Sequence, residues 1–253
     1  MFNSPVNISP FAYKQGVGFT NSKSILLDGI SKFVNIDSVR AALAGTTEGT
    51  FDSWIKPVTA TPAGFENIIA FGDTDADSDI LVNIFATTGV LQVRCRKDGV
   101  NQWSKRTTAA AFTGGVWSHW ALVVDGVGNV TIYINAVAVA QAYFHTLDKN
   151  AWFNSVPLLD NGRVGCINTN SAGNINFFNG NLDEVKFTNR ALTQPQIADI
   201  YNSGAPKDET GIANGVSQFR FDGDTVPICG DSVGSNNGTY VNCVQGDIVT
   251  DVP

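Results

Sequence analysis

The stretch that decides the fold is GVWSHWALVVDG at residues 115–126, followed closely by VTIYIN at 130–135. Side chains alternate between the two faces of a β-strand. Both faces of the first stretch are then mostly apolar: Trp117, His119, Ala121 and Val123 share one, and Ser118, Trp120, Leu122 and Val124 share the other. A strand that is apolar on both faces lies between two layers. We therefore predict a layered β protein with this strand near its centre.

The rest of the chain repeats the alternating pattern in short runs that Gly, Asn and Asp separate. Further strands are predicted at 23–28, 50–56, 66–71, 79–86, 89–95, 137–142, 157–166, 174–180, 182–188 and in SQFRFDGD at 217–224. Many short strands with almost no helix indicate an all-β fold. We expect a sandwich of two antiparallel sheets.

One short helix is predicted near residues 193–204. Thr193 is a good N-cap, and Gln196 three residues later completes a capping box. Pro195 lies in the first turn, where its missing N–H group costs nothing. Gly204 is a typical helix end. We expect a two-turn helix that packs against a sheet.

The composition fits an ordered chain and excludes some partners. Of 253 residues, 43% are apolar and 15% are charged, which suits a sizeable core. With a net charge of −7 and no basic cluster, the chain is not expected to bind nucleic acid. Since no apolar run is long enough for a membrane-spanning helix, we expect no membrane insertion.

The N-terminal residues and the cysteines lead to expectations about secretion and about disulfide bonds. The opening MFNSPVNISPFAYKQGVGF lacks the pattern of a secretory signal. Four cysteines are too few for a disulfide scaffold of this length. Cys229 and Cys243 are close enough in sequence to bridge a hairpin, but without a signal we expect reduced thiols.

Several stretches together resemble the laminin-G-like, concanavalin A-like family of jelly-roll domains. They are SILLDG at 24–29, FDSWIKP at 51–57, the pair at 115–126 and 130–135, and FNGNLDEV at 178–185 with the helix that follows. The series covers roughly residues 23–204. Where the family has Asp-Gly after the second strand of the pair, this chain has Asn135-Ala136. The resemblance implies a jelly roll, and it implies lectin-like binding rather than catalysis.

The resemblance divides the chain into an N-terminal arm at 1–22, a jelly roll at 23–204, and a linker with C-terminal strands at 205–253. In the family, segments like FRFDG and DSVGSNNGT stand before the domain, but here they stand after it, at 219–223 and 231–239. The tail completes the same sandwich, or it pairs with a neighbouring chain. We favour the first, because an unpaired strand edge invites aggregation.

An alternating acidic run is the main candidate metal site. GDTDADSD at 72–79 carries Asp73, Asp75, Asp77 and Asp79. Spacing by two lets several carboxylate oxygens converge on one hard cation such as Ca²⁺. The alternative is a solvated hairpin tip. The resemblance adds Asp28 and Asp183 as candidate ligands, because the family often binds Ca²⁺ at the rim of the sandwich.

Catalytic patterns are weak. Glycoside hydrolysis needs two carboxylates at a fixed separation, and Glu48, Glu66, Glu184 and Glu209 do not form the Glu-x-Asp-x-Glu pattern of retaining enzymes of this fold. GDSVG at 230–234 matches a nucleophile elbow, but a turn rather than a helix follows it. We expect no enzymatic activity.

Aromatic residues in or near loops are candidate sugar-binding residues. Trp103, Tyr143, Phe144 and Trp152 could stack on sugar faces, as in lectin-like sandwiches. The alternative is that they cover the core, since large aromatic residues are mostly buried.

Because domains of this family occur in phage tail, fibre and head-decoration proteins, the resemblance implies a non-enzymatic surface or structural protein of a virion, as fibre, tail or head decoration. Its partners are a cell-surface glycan or neighbouring virion subunits, with a homo-oligomer possible in a fibre. Its location is the virion, assembled in the host cytoplasm. The alternatives are a glycoside hydrolase or lyase of the same fold, and a secreted adhesion module on a cell surface.

Overall fold

The computed structural model describes residues 19–209 and 211–253, and within them it contains nineteen strands and two α-helices. The strands are β1 (Ser24–Asp28), β2 (Phe33–Asn35), β3 (Gly49–Pro57), β4 (Glu66–Gly72), β5 (Asp79–Ile84), β6 (Val90–Lys97), β7 (Val100–Ala110), β8 (Ser118–Val124), β9 (Val130–Ile134), β10 (Val137–Ala138), β11 (Gln141–Thr146), β12 (Asn161–Val164), β13 (Ile167–Asn168), β14 (Asn174–Ile175), β15 (Asn179–Thr188), β16 (Gly215–Phe219), β17 (Ile228–Cys229), β18 (Gly238–Val241) and β19 (Ile248–Val249). The helices are α1 (Asp37–Leu43) and α2 (Gln194–Tyr201).

Two large antiparallel sheets form the sandwich. Sheet 1 has the order β10-β9-β8-β3-β15-β1-β19, and β16 also pairs with β15. Sheet 2 has the order β11-β7-β6-β5-β4-β12-β2-β18-β17. A separate hairpin pairs β13 with β14. The predicted all-β, two-sheet antiparallel architecture is confirmed.

The strand that decided the fold lies inside sheet 1. β8 pairs with β3 on one side and with β9 on the other, and all seven of its residues are buried. One of its faces turns to the core between the sheets, and the other is covered by α2. This is the two-sided burial that its apolar pattern predicted.

Aromatic rings fill the centre of the core. Phe51 on β3 lies 5.1 Å from Phe187 on β15 and 5.1 Å from Trp152, measured between ring centroids. Phe71 on β4 meets Phe187 from the opposite sheet at 5.7 Å. Such ring pairs contribute beyond the area they bury, and here they join the two sheets.

The predicted helix is confirmed as α2. The backbone N–H of Thr193 donates to Oε1 of Gln196 at 2.9 Å, which satisfies the N-terminal end. The left-handed C-cap is Asn202, with φ of 46°, rather than Gly204. Buried Ile197 and Ile200 pack on Tyr133 and its neighbours on the outer face of sheet 1.

The prediction of a single helix is wrong, because α1 is a second one. It has only seven residues, and Val39 and Leu43 are its buried side chains. The N–H of Asp37 is capped by Oδ1 of Asn35 at 2.9 Å. Its position also depends on distant residues, since the Asp37 carboxylate accepts from the N–H of Gly162 at 2.8 Å. Neither helix is long and apolar enough to cross a membrane in the part of the chain that the structure describes.

The C-terminal segment contributes strands to both sheets of its own chain. β16 pairs with β15 and β19 pairs with β1 in sheet 1, while β18 pairs with β2 in sheet 2. Of the predicted N-terminal arm, residues 1–18 lie outside the described residues. Phe19 lies under the guanidinium of Arg220, whose carbon is 4.4 Å from the ring centroid.

Candidate functional site

The candidate site is a cleft of about 360 Å³ on the outer face of sheet 2. Its floor is formed by β4, β5, β6 and β7, and one wall is formed by the β13–β14 hairpin. Phe65 and Phe85 lie at its rim. A concave surface with aromatic walls and a few converging polar groups is the usual form of a small-ligand site.

A polar row crosses the floor of the cleft. Strand register places Asn67 opposite Asn83, Asn83 opposite Gln92, and Gln92 opposite Arg106. Alternation turns this row outward, because the neighbouring Ile84 and Val93 belong to the core. Four adjacent strands thus each present one polar side chain along one line.

Two amides of this row have unused acceptors. Asn67 is only 1% exposed and Asn83 only 5% exposed. In the described part of the chain, neither Oδ1 of Asn67 nor Oδ1 of Asn83 accepts a hydrogen bond. A buried polar atom without a partner costs about 1–3 kcal/mol. A ligand hydroxyl at the cleft would supply the missing donor.

Arg106 joins the polar row to aromatic side chains. Its Nε donates to Oε1 of Gln92 at 2.8 Å. Its guanidinium carbon lies 4.1 Å from the ring centroid of Phe85 and 4.4 Å from that of Phe144. Two cation–π contacts hold the guanidinium in one orientation. Phe144 is 56% exposed, so its ring is also available to a ligand.

A second cavity of about 370 Å³ lies on the other side of Arg106. Phe85 and Arg106 line both cavities, and Phe144 lines the second. Thr88, Val90 and Ala142 complete its apolar surface. The two cavities together form a groove across the outer face of sheet 2, with Arg106 between them.

The acidic run at 73–79 is organised by arginines. Asp79 is fully buried and accepts from Nε of Arg94 at 2.9 Å and from Nε of Arg96 at 3.0 Å. Arg96 also pairs with Asp77. Asp73 caps its own turn by accepting the N–H of Asp75 at 3.0 Å.

The structure does not bring these four carboxylates together as ligands of one ion. Among residues 19–209 and 211–253, no group of three His, Cys, Asp or Glu side chains has the grouping that a metal site needs. Arg94 and Arg96 neutralise two of the four carboxylates, those of Asp77 and Asp79. β5 and β6 are neighbouring strands, so Arg94 and Arg96 of β6 can bond directly to Asp79 of β5.

Asp28 and Asp183 also lie apart. Ile25 pairs with Leu182 in the ladder of β1 and β15, so the two aspartates are four residues apart along it, or about 13 Å. Burial opposes ionisation of Asp28, but N–H groups of Ser31 and its neighbours outweigh it, and the pKa falls to about 2. Desolvation raises the pKa of buried Asp183 well above its usual value, although Asn21 donates to it.

The aromatic residues proposed to bind sugar need correction. Trp103 and Trp152 are fully buried and stack on each other with centroids 6.2 Å apart. Nε1 of Trp103 donates to the carbonyl of Ala151 at 2.7 Å. They are core residues, because β7 is a strand and turns Trp103 inward.

Tyr143 lies on β11 and is half-buried. Its hydroxyl accepts the N–H of Val130 at 3.0 Å, and its ring packs against the core. The next residue, Phe144, is the one that faces the groove, where it lines the second cavity. Alternation along β11 therefore selects Phe144 from the four loop aromatics that the sequence singled out.

Sequence reasoning missed Arg106 and the amides of the polar row. β7 was not predicted, because Lys105 and Thr107, which share the inner face with Trp103, are polar, so the strand lacks a continuous apolar face. Phe65 and Phe85 carried a weak signal, because Phe65 directly precedes the strand predicted at 66–71 and Phe85 lies near the end of the one predicted at 79–86, both beside turn residues. The GDSVG motif is a turn, in which Asp231 Oδ1 accepts from the N–H groups of Val233 and Gly234.

Known proteins share this architecture. The structure is similar to a proposed carbohydrate-binding protein from Bacteroides ovatus, with a TM-score of 0.59 and 15% identity, over 91% of this chain and 62% of that one. It is also similar to the CBM40 module of the Ruminococcus gnavus IT-sialidase bound to α2,3-sialyllactose, with a TM-score of 0.57 and 15% identity, over 70% of this chain and 97% of that one.

A third similar structure is the NanB sialidase of Streptococcus pneumoniae, with a TM-score of 0.58 and 18% identity, over 70% of this chain and 27% of that one. The chain thus spans about 62% of the Bacteroides protein and a smaller part of this sialidase. At these identities the likeness establishes the fold. Among curated proteins, none matches this chain in sequence.

The sequence itself matches a family directly. Residues 28–198 match Laminin_G_3, described as the concanavalin A-like lectin/glucanases superfamily. The match covers most of the chain and both sheets of the sandwich. The chain is a member of this concanavalin A-like lectin/glucanase superfamily.

Proposed function

We propose that the chain is a non-enzymatic carbohydrate-binding module and that sugar binds in the cleft on the outer face of sheet 2. The observation that carries this proposal is the buried polar row beside exposed aromatic rings. Sugars present hydroxyl groups around their edge and an apolar C–H face. Amides such as those of Asn67 and Asn83 suit the hydroxyls, and rings such as Phe65 and Phe144 suit the apolar face.

The structural relatives support the same proposal. Their printed descriptions are of a proposed carbohydrate-binding protein and of a CBM40 module with bound sialyllactose. These descriptions belong to those proteins. They support sugar binding as the function to test first for this chain.

The geometry of the carboxylates favours binding over hydrolysis. Asp77 and Asp79, the acidic residues beside the cleft, are held by Arg94 and Arg96. Glycoside hydrolysis by the usual mechanism needs one free acid and one free carboxylate across the sugar. The pair of His119 and Asp52 lies elsewhere, with side-chain exposures of 1% each.

A glycan array followed by calorimetry tests the proposal. We expect the protein to bind a restricted set of glycans, and incubation with the same glycans should release no cleaved product. Phe144→Ala should weaken binding by roughly three- to tenfold, the usual contribution of one aromatic contact. Val127→Ala, which shortens an exposed apolar residue outside the cleft, is the matched control.

Three outcomes would contradict the proposal. Absence of binding to any glycan would reject sugar recognition. Equal losses in the Phe144 and Val127 variants would place the site elsewhere. Release of free sugar by the wild-type chain would support the hydrolase alternative instead.

We also propose a virion surface as the setting in which this module acts, beside neighbouring subunits. The support is the laminin-G-like resemblance, since such domains occur in phage tail, fibre and decoration proteins. Mass spectrometry of purified particles tests it. The chain should co-purify with particles in fixed stoichiometry, and its recovery only from host surface material would favour the adhesion alternative.

A further inference from the structure

We propose that the sugar recognised in the cleft is an acidic one and that its carboxylate binds the guanidinium edge of Arg106. This inference rests on the proposed function, since it names the class of sugar. It follows from three features of the site: the balance of charge, the partners of Arg106, and the unused acceptors of the polar row.

Positive charge is in excess in the cleft. Three arginines line it, namely Arg94, Arg96 and Arg106. Arg94 and Arg96 are neutralised by Asp79 and Asp77. In the described residues Arg106 has no ion pair, although the protein as a whole carries a net charge of −7. One cation of the site is thus left for an external anion.

The hydrogen bonds of Arg106 leave one edge open. Nε is used by Gln92, whereas within the described chain no acceptor is bonded to Nη1 or Nη2. The guanidinium lies over the rings of Phe85 and Phe144, so its flat surface is occupied. Its remaining donors point in the plane of the group. Two parallel N–H groups in one plane match the two oxygens of a carboxylate.

The electrostatics of the site agree with an anion. Burial, and after it the nearby charge of Arg94, lowers the pKa of Arg106. Both effects mean that the positive charge is stabilised less well than in water. A bound carboxylate would reverse this. Because the rings already hold the guanidinium in place, little conformational entropy is lost on binding.

The neighbouring amides limit the kind of anion. Oδ1 of Asn67 and Oδ1 of Asn83 are unused acceptors on the same floor. They suit hydroxyl donors, and they would repel the additional oxygens of a sulfate or phosphate group. A sugar acid, with one carboxylate and several hydroxyls, satisfies both kinds of group at once.

Matched pairs of acidic and neutral sugars test the inference. We would titrate the whole chain with methyl galacturonoside against methyl galactoside, and with 3′-sialyllactose against lactose. At least one acidic sugar should bind roughly tenfold or more tightly than its neutral partner. The preference should shrink at high salt, because it depends on charge.

Two variants separate the charge from the shape of Arg106. Arg106→Gln should abolish the preference, so that the acidic sugar binds no more tightly than its neutral partner. Arg106→Lys keeps a positive charge without the planar fork, so it should retain only part of the preference. Lys97→Gln removes one charge from the exposed end of β6, outside the cleft, and should change nothing.

The outcomes distinguish this inference from the proposed function. If acidic and neutral sugars bind alike and Arg106→Gln has no effect, the inference is wrong while sugar binding stands. If a sulfated sugar binds as tightly as the sugar acid, carboxylate recognition is wrong. If no sugar binds, the proposed function itself fails. Circular dichroism shows whether each variant is folded.

Discussion

Asp79 pairs with two of the three arginines that line the cleft. It is fully buried and bonded to both Arg94 and Arg96. Asp79→Asn should lower the free energy of unfolding by about 3 kcal/mol, because two guanidinium groups lose their buried counter-charge. Urea denaturation measures this. Exposed Asp75→Asn is the control, and an equal effect in both variants would contradict the argument.

Glu66 makes stability depend on pH. Burial raises its pKa to about 7, and the hydrogen bond from the N–H of Asn179 offsets this only in part. The folded chain therefore binds this proton more tightly than the unfolded chain. The contribution of protonated Glu66 to the free energy of unfolding is fully present below about pH 4.5 and is lost as pH rises through about 7.

Urea denaturation at about pH 5 and about pH 8 measures the free energy of unfolding of wild type and of Glu66→Gln. Wild type should lose more stability over this interval than the variant, which carries no ionisable group there. Glu48→Gln removes the same kind of group away from the cleft and serves as the control. Parallel pH profiles for wild type and Glu66→Gln would rule out the role of Glu66.

Which single residues form the site was hard to predict for a physical reason. Trp103 and Arg106 are three residues apart on β7, and the strand turns one to the core and the other to the cleft. On the inner face of β7, Lys105 and Thr107 follow Trp103 and are polar. The strand therefore has no clear apolar alternation, and this concealed both β7 and Arg106. Trp152 is buried because it packs against Phe51 and Trp103, which are far from it in sequence, and no local pattern reports such contacts.

The short β13–β14 hairpin is the element that shapes the cleft. It lies close to β4, where a Cβ atom on Gly72 would come within 2.0 Å of the carbonyl oxygen of Asn168. The side chain of Asn161 donates to that same oxygen at 3.0 Å. Glycine at 72 is what lets the hairpin pack this closely.

Gly72→Ala should therefore displace the hairpin and weaken sugar binding by roughly tenfold, with a loss of about 1–3 kcal/mol in stability from the overlap. Calorimetry and urea denaturation measure the two effects. Gly64→Ala is the control, since nothing lies within 4 Å of a Cβ there. Unchanged sugar affinity in the Gly72 variant would show that the hairpin does not form a wall of the site.

Elements with local signals were predicted, and elements without them were not. α2 is marked by Thr193 and Gln196 within one turn, so the sequence shows its start. α1 is held by the contact between Asp37 and the N–H of Gly162, which lie far apart in sequence. The acidic run at 73–79 indicates a cluster of charged side chains, and the structure contains one. Its counter-ions are arginines on the next strand, which only the strand register shows.

At the scale of the whole molecule, the first strand, β1, lies beside the tail. Ser24 pairs with Val249, and its hydroxyl donates to the carbonyl of Asp251 at 2.6 Å. Segments that lie this close can be joined in a circular permutation. The whole-chain charge, in contrast, gave no indication of the site, since a net charge of −7 conceals one cleft in which cations are in excess.

A permuted chain should therefore fold and bind like the original. It begins at Asn214, joins Pro253 to Met1 through a short Gly/Ser linker, and ends at Ala213. Circular dichroism and sugar affinity should match those of the unpermuted chain. A cut inside β15, between Asp183 and Glu184, is the control and should prevent folding. Loss of structure in the first permutant would mean that the tail needs its natural connection.

The pairing of β1 with β19 also affects how the chain folds during its synthesis. β1 has no partner on one edge until β19 has left the ribosome, and β2 waits in the same way for β18. Contacts between such distant segments form slowly. While translation continues, half-built sheets expose apolar strands that favour aggregation. The sandwich is complete only after β18 and β19 have been made, so a chaperone that holds the nascent chain should raise the soluble yield.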